Sequence, residues 1–430
     1  MPGATVRILL PPAEIRGGPI PFDSGAMHFH RYKILLTTVP ALLAGCGDLL
    51  RPDPAPEPAL FERYVAIGNS ITAGFESEGI NDSTQMHSYA VLLARKANAR
   101  FEVPLLRRPG CPPPLTEPIV VAASREERVV SCAGFLLPVP ERISNLSFPG
   151  FRIADALAPP TGLAAIFFLQ AFGDRSLLDL AARADPTLVT IWLGNNDVLG
   201  AGLAGDTARM TPVADFQASV DRITQRLREF STLREVVFLG VIDPQLAPAL
   251  QPGAYLWAAY RDEQLRDLLP RPIDDSCAPF APSGEPNPTG ANLVSLRALQ
   301  DGGLASVSCA DEAPHVLNGR EQEALRNRVA AYNESLRRAA ERNGWIFLDV
   351  NALLAGRLGE PEMIRKCQGL ATATDLGEVL AAVTSTCPYP GAPNFFGSLI
   401  SYDGVHPGLV GQSFVADALA EALIARHGAL

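Results

Sequence analysis

The run Thr187-Leu188-Val189-Thr190-Ile191-Trp192-Leu193 is rich in β-branched residues and almost unbroken in its apolarity. A strand with one wet face alternates polar and apolar residues, so a strand without that alternation has to be covered on both faces. A parallel sheet with crossover helices on each side supplies such cover. Tyr64 to Ile67 and Glu235 to Val241 read the same way, Asn145 onward is a shorter apolar strand, and Trp345 to Val350 is the last clear one. Helical segments fall between and after them. Tyr89 to Lys96 has helix formers and a basic end. Asp215 to Phe230 places Phe216, Val220, Ile223 and Leu227 on one face. A long helix from Asn318-Gly319 to about Arg342 carries Leu325, Val329, Tyr332 and Leu336 on one stripe, and Leu409 to Arg426 closes the chain. Strands alternating with helices predict one three-layer α/β/α domain around a parallel sheet.

Three stretches interrupt that alternation: residues 104–145, 270–318 and 361–399. The first holds Pro109, Pro112, Pro113 and Pro114, which forbid helix. Each contains two cysteines, and they read as loop-level decorations of one domain. The composition is that of a globular protein, with 47% hydrophobic and 19% charged residues in 430. The net charge of −10, with no basic cluster, argues against a nucleic-acid partner. None of the seven cysteines forms a C-x-x-C pair, so no zinc or redox site, and no metal, is expected.

The N-terminal region is a different text. Residues 1–26 have no periodic pattern. From Met27 a basic stretch, His28 to Lys33, precedes the apolar run Ile34 to Leu43, the layout of a secretory signal too short to span a bilayer as an anchor. Leu43-Ala44-Gly45-Cys46 resembles the bacterial lipobox, whose cysteine is lipidated and becomes the first mature residue. The resemblance implies that translation starts at Met27, that residues 1–26 are a non-native extension, and that residues 27–46 are a lipoprotein signal. Residues 47–60, with Pro52, Pro54, Pro56 and Pro58, are expected to form a stiff tether. The remaining domain, residues 61–430, would stand in the bacterial cell envelope, on the membrane that holds Cys46. Export leaves six cysteines, enough for three disulfides. The nearest-neighbour pairing Cys111–Cys132, Cys277–Cys309 and Cys367–Cys387 is expected among the fifteen connectivities that six cysteines allow.

Candidate chemistry sits at the strand ends. Ser70 follows Gly68-Asn69 where a helix begins, beside N–H groups able to stabilise an oxyanion. The same position suits a helix cap. Gly150 follows the Asn145 strand, where glycine either lets a ligand approach closely or supplies an unusual backbone angle. Gly194-Asn195-Asn196-Asp197 closes the Thr187 strand, at the edge where open α/β sheets bind ligands. A serine nucleophile needs a base. After export His87, His315, His406 and His427 remain. Only His406 has a carboxylate placed locally, Asp403, three residues before it in a Gly/Pro turn. Such a carboxylate can take Nδ1–H and turn Nε2 toward the serine. Surface turns often contain both residues.

Taken in order, Gly68-Asn69-Ser70-Ile71, Gly150, Gly194-Asn195-Asn196-Asp197 and Asp403-Gly404-Val405-His406 resemble the GDSL-type lipolytic enzymes of the SGNH hydrolase superfamily. The likeness runs from about Phe61 to the C-terminus, leaving the three cysteine-bracketed excursions unmatched. It implies a flavodoxin-like α/β/α sandwich and hydrolysis of carboxylic esters without a cofactor. Ser70 would be the nucleophile, His406 the general base and Asp403 its orienting carboxylate. The oxyanion hole would comprise the N–H groups of Ser70 and Gly150 and the Asn196 side-chain amide. Asn69 stands where the family name has Asp, at a position the triad does not use. The substrate would be a small or polymeric ester, such as an acyl lipid or an acetylated glycan.

Two other readings differ in kind. An α/β-hydrolase needs G-x-S-x-G, and here the next glycine after Ser70 is Gly74. A silent lipoprotein using this fold as a binding scaffold would not need all five residue types of triad and oxyanion hole together.

Overall fold

The computed structural model describes residues 59–122, 132–161, 170–267, 269–370, 373–389 and 394–430. The leader, Cys46 and the tether through residue 58 lie outside the described residues. Among those described, the strands are β1 (Tyr64–Gly68), β2 (Asn145–Ser147), β3 (Leu188–Trp192), β4 (Glu235–Leu239), β5 (Leu250–Pro252), β6 (Leu293–Ser295), β7 (Val316–Leu317) and β8 (Ile346–Leu348). The helices that matter here are α1 (Ser70–Ala73), α2 (Tyr89–Lys96), α3 (Leu177–Ala184), α4 (Asn196–Ala204), α5 (Val213–Leu227), α6 (Gly253–Arg261), α7 (Gly319–Asn343), α8 (Leu376–Thr386) and α9 (Leu409–His427).

The main sheet is parallel throughout, in the order β2-β1-β3-β4-β8. Both faces are apolar, which is why the strand sequences lack a polar side. Val65, Ile67, Val189, Ile191, Val236 and Phe238 face a core shared with α3, α5 and α7. Their alternate neighbours Tyr64, Ala66, Leu188, Trp192, Val237 and Leu239 face a second core shared with α2 and α9. The three-layer α/β/α expectation is met. Helix ends follow local chemistry: Asn318 and Glu321 form a reciprocal capping box on α7, and Gly344 ends it in the left-handed conformation.

The excursions carry more order than their proline and glycine content suggests. All three expected disulfides are present: Cys111–Cys132, Cys277–Cys309 and Cys367–Cys387. The second and third excursions are not separate decorations. Strands β5, β6 and β7 form a small antiparallel sheet. With α6 and α8 they enclose a third apolar cluster that contains Cys277, Cys309, Cys367 and Cys387 beside Tyr255, Leu256, Phe395 and Phe396.

In this strand order β1 leads to β2 on one side and β3 leads to β4 on the other, so the direction of connection reverses between β1 and β3. A crevice opens at that switch point, outside the carboxyl ends of the strands. The β1–α1 turn reaches it only because residue 68 lacks a side chain. A Cβ on Gly68 would stand 1.9 Å from Thr72 Oγ1 and 2.4 Å from Thr72 Cβ. Gly68→Ala is therefore expected to lower the unfolding free energy by about 1–3 kcal/mol, the usual range for overpacking a core. The measurement is a reduced urea midpoint at unchanged slope.

Candidate active site

Asn69 ends β1 and caps α1, its Oδ1 accepting the N–H of Ile71 at 3.2 Å. Ser70 is thus the first residue of a helical turn, where backbone N–H groups have no intrahelical partner. The turn is anchored from the far end of the chain. Gln412 of α9, itself buried, donates from Nε2 to the carbonyl of Ile71 and accepts the N–H of Tyr89 on Oε1.

Ser70 Oγ lies 2.9 Å from His406 Nε2, and His406 Nδ1 lies 2.8 Å from Asp403 Oδ2. A carboxylate only accepts, so Nδ1 carries the proton, Nε2 presents its lone pair and the serine hydroxyl donates. The Phe75 ring packs on the imidazole, with centroids 4.9 Å apart. Asp403 is 2% exposed and draws donors from both sides. Glu78 N–H donates to Oδ2, while Val405 N–H, His406 N–H and the Ser401 hydroxyl donate to Oδ1. Burial pushes this carboxyl up, but the facing His406 and the N–H donors outweigh burial and hold it at about 2.

A carboxylate partner is not what singles out His406. His315 Nε2 lies 3.1 Å from Asp301, His427 Nε2 lies 3.0 Å from Glu235, and His87 Nδ1 lies 3.8 Å from Glu76. All four described histidines have one, and His406 is the one hydrogen-bonded to Ser70.

Gly150 adopts φ +87°, which only glycine takes without strain, and a Cβ there would meet nothing within 4 Å. The backbone needs this glycine, and the space beside it is open. The residues after β3 fix that turn. Asn196 Nδ2 donates to the carbonyl of Phe151 at 2.9 Å, which leaves the second N–H of its amide for another acceptor. Asp197 Oδ2 accepts the N–H of Ile153, and Oδ1 accepts the Thr211 hydroxyl. Burial raises its carboxyl to about 6 against those hydrogen bonds. Asn195 accepts the Ile242 N–H on Oδ1, while its buried Nδ2 has no partner. Ser70, Asn195, Asn196 and His406 line one cavity, with apolar walls that include Ile71, Leu246 and Val405.

Sequence reasoning missed two groups here and gave Asn195, within the Gly194–Asp197 motif, no role of its own. Gln412 acts through contacts that no local motif marks. Glu76, half-buried beside the site, is raised to about 7, first by burial and then by the Asp403 charge, with His406 opposing. Among the described residues, no group of three or more His, Cys, Asp or Glu could hold a metal ion.

Fold and site define a class: a parallel α/β protein that presents a hydrogen-bonded Ser–His–Asp chain at its topological switch point. The model of the GDSL-like Lipase/Acylhydrolase family matches residues 64–419, and the chain belongs to that family of ester-hydrolysing enzymes. A search of the curated proteins returned no match. Among solved structures the chain is similar to a catalytic mutant of Axe2, an acetylxylan esterase from Geobacillus stearothermophilus, at 11% identity and TM-score 0.36, covering 84% of this chain and 94% of that one. It is also similar to the acetyl xylan esterase AlAXEase (14%, TM-score 0.32, 84% and 100% covered) and to a putative GDSL-like lipase from Parabacteroides merdae (12%, TM-score 0.30, 85% and 98%).

Glu76 gives a pH signature. Its carboxyl titrates at about 7 in the folded chain against 4.5 for an ordinary glutamate. Between those values the folded state holds a proton that the unfolded state has released, so stability falls as pH rises through this window and is level above it. Asp197, raised to about 6, adds to the lower part of that fall, so Glu76→Gln is expected to remove the part between about pH 6 and 7, read as unfolding midpoints from pH 4 to pH 8.

Proposed function

We propose that this protein is an exported serine esterase in which Ser70 is the nucleophile, His406 the base and Asp403 its orienting group. The observation that carries the reading is the unbroken hydrogen-bond chain from Ser70 Oγ through His406 to Asp403. His406 Nε2 takes the hydroxyl proton as Oγ bonds to the ester carbonyl carbon. The negative charge that develops on the carbonyl oxygen falls to the N–H groups of Ser70 and Gly150 and the free N–H of Asn196. The C–O bond to the alcohol then breaks, and His406 returns its proton to the departing oxygen. Water, deprotonated by His406, cleaves the acyl-serine, releasing the carboxylic acid and restoring Ser70. The buried Asp403 carboxylate, paired with protein donors on both oxygens, stays ionised throughout and stabilises the imidazolium.

The basic-apolar leader and Cys46 support the second half of the reading, a lipid-anchored protein of the bacterial cell envelope. The six remaining cysteines, all paired, suit an oxidising compartment.

A fluorescent fluorophosphonate is expected to label the folded protein, and both Ser70→Ala and His406→Ala to abolish labelling. Labelling that survives Ser70→Ala would place the nucleophile elsewhere. Asn196→Ala should cost about 10²–10³-fold in kcat, the usual loss for one oxyanion donor. Cys46→Ala should move the protein from the membrane to the soluble fraction, and no change in that partition would sink the anchor.

A further inference from the structure

Two cavities flank the Ser70–His406 pair; both have mainly apolar walls, and they differ in size. The one that Ser70 itself lines measures about 60 Å³. The other lies under the first excursion, measures about 220 Å³, and is walled by Phe75, Leu106, Phe135, Phe148 and Phe172. It adjoins the site on two sides. Phe75 is the residue packed on the His406 ring, and Phe148-Pro149 leads directly into Gly150.

Among the described residues, three polar side chains line this second cavity, and each is already engaged within the protein. Gln85 donates to the carbonyl of Pro104 and accepts the N–H of Leu106. Asn145 donates to the carbonyl of Thr72 and accepts the Ser147 hydroxyl. With so few polar groups in the wall, a sugar placed there would lose most of its hydrogen bonds to water without replacement, at a cost of roughly 1–3 kcal/mol per group. A hydrocarbon would only gain.

We infer that the cavity under the first excursion holds the hydrocarbon of an apolar alcohol, esterified to a short acyl group. The inference rests on Ser70 being the nucleophile. The acyl carbon stays bonded to Ser70 Oγ after the alcohol has left, and we assign its acyl group to the cavity that Ser70 lines. The alcohol, protonated by His406, is left to the cavity beyond Phe75. At about 10–15 Å³ per water-sized group, the first cavity admits roughly four to six such groups and the second roughly fifteen to twenty-two.

The test compares two ester series on the intact protein: n-alkyl acetates from ethyl to octyl, and ethyl esters of acids from two to ten carbons. In the alkyl series kcat/KM should rise about fourfold per methylene until the cavity fills, the equivalent of about 0.8 kcal/mol per buried methylene. In the acyl series it should fall beyond about four carbons. Val103→Phe, at a residue that lines the second cavity, should narrow it and flatten the alkyl series. A measurement without any variant guards against misfolding: 1-octanol should inhibit the unmodified enzyme at least tenfold more strongly than ethanol. A flat alkyl series, a rising acyl series, or faster hydrolysis of an acetylated sugar than of octyl acetate overturns the inference. If fluorophosphonate still labels Ser70 in that case, the nucleophile stands and only the substrate assignment fails. No hydrolysis and no labelling would remove both.

Discussion

The buried carboxylate of Asp403 is the constraint on which the rest of the site depends. A charge with almost no exposure is tolerable only when fully paired. Asp403 recruits donors from two distant parts of the chain, the 401–406 turn and the loop after α1. That loop carries a cost, since Ser77 and Glu78 both sit at positive φ, at 53° and 55°, where non-glycine residues lose roughly 1–2 kcal/mol each. The strain puts the Glu78 N–H on the oxygen that also receives His406 Nδ1. Ser77 adds two ties to the same turn, its N–H donating to Ser401 Oγ and its hydroxyl accepting from Tyr402 N–H. The excursions lean on this loop as well: Leu115 N–H donates to the carbonyl of Ser77, and Arg297 lies 3.6 Å from Glu78. Serine, histidine and both decorated regions are thus held in register around one charge.

The fold was legible wherever burial is uniform along a segment. Runs such as Leu188 to Trp192 announce two-sided cover without knowledge of their neighbours, and α5, α7 and α9 show their stripes or caps within a few residues. Helices α6 and α8 escaped because the surrounding prolines and glycines drown a short periodic signal, and because the cluster they complete joins residues more than 100 positions apart. The site was legible in part for the same reason. Ser70, Gly150, Asn196, Asp403 and His406 each lie in a short turn with its own chemistry. Yet the local Asp-x-x-His spacing did not by itself discriminate, because His87, His315 and His427 acquire carboxylates through the fold. What distinguishes His406 is a contact spanning 336 residues, and no periodicity encodes that. Glu76 and Gln412 were invisible for the same cause.

The three residues after β3 show how little sequence is needed to tie the strand ends together. Asn195 reaches the N–H of Ile242, just past β4; Asn196 and Asp197 reach Phe151 and Ile153, just past β2. One turn therefore links its neighbours on both sides across the switch point, with Ser70 between. This is why Asp197 is ill suited to proton transfer, although its carboxyl is raised: both oxygens are occupied by the Ile153 N–H and the Thr211 hydroxyl, and it acts by positioning Gly150. The unpaired Nδ2 of Asn195 is the converse case. Its oxygen is committed to the scaffold, where it braces the sheet edge at Ile242, while its buried amide nitrogen has no partner. Hydrogen-bond donors aimed at an oxyanion work only if they are rigid before the substrate arrives, since reorganisation would consume the stabilisation they give. The lacing of β2, β3 and β4 by three consecutive side chains supplies that rigidity from the protein's own backbone, independently of the decorations that shape the two cavities.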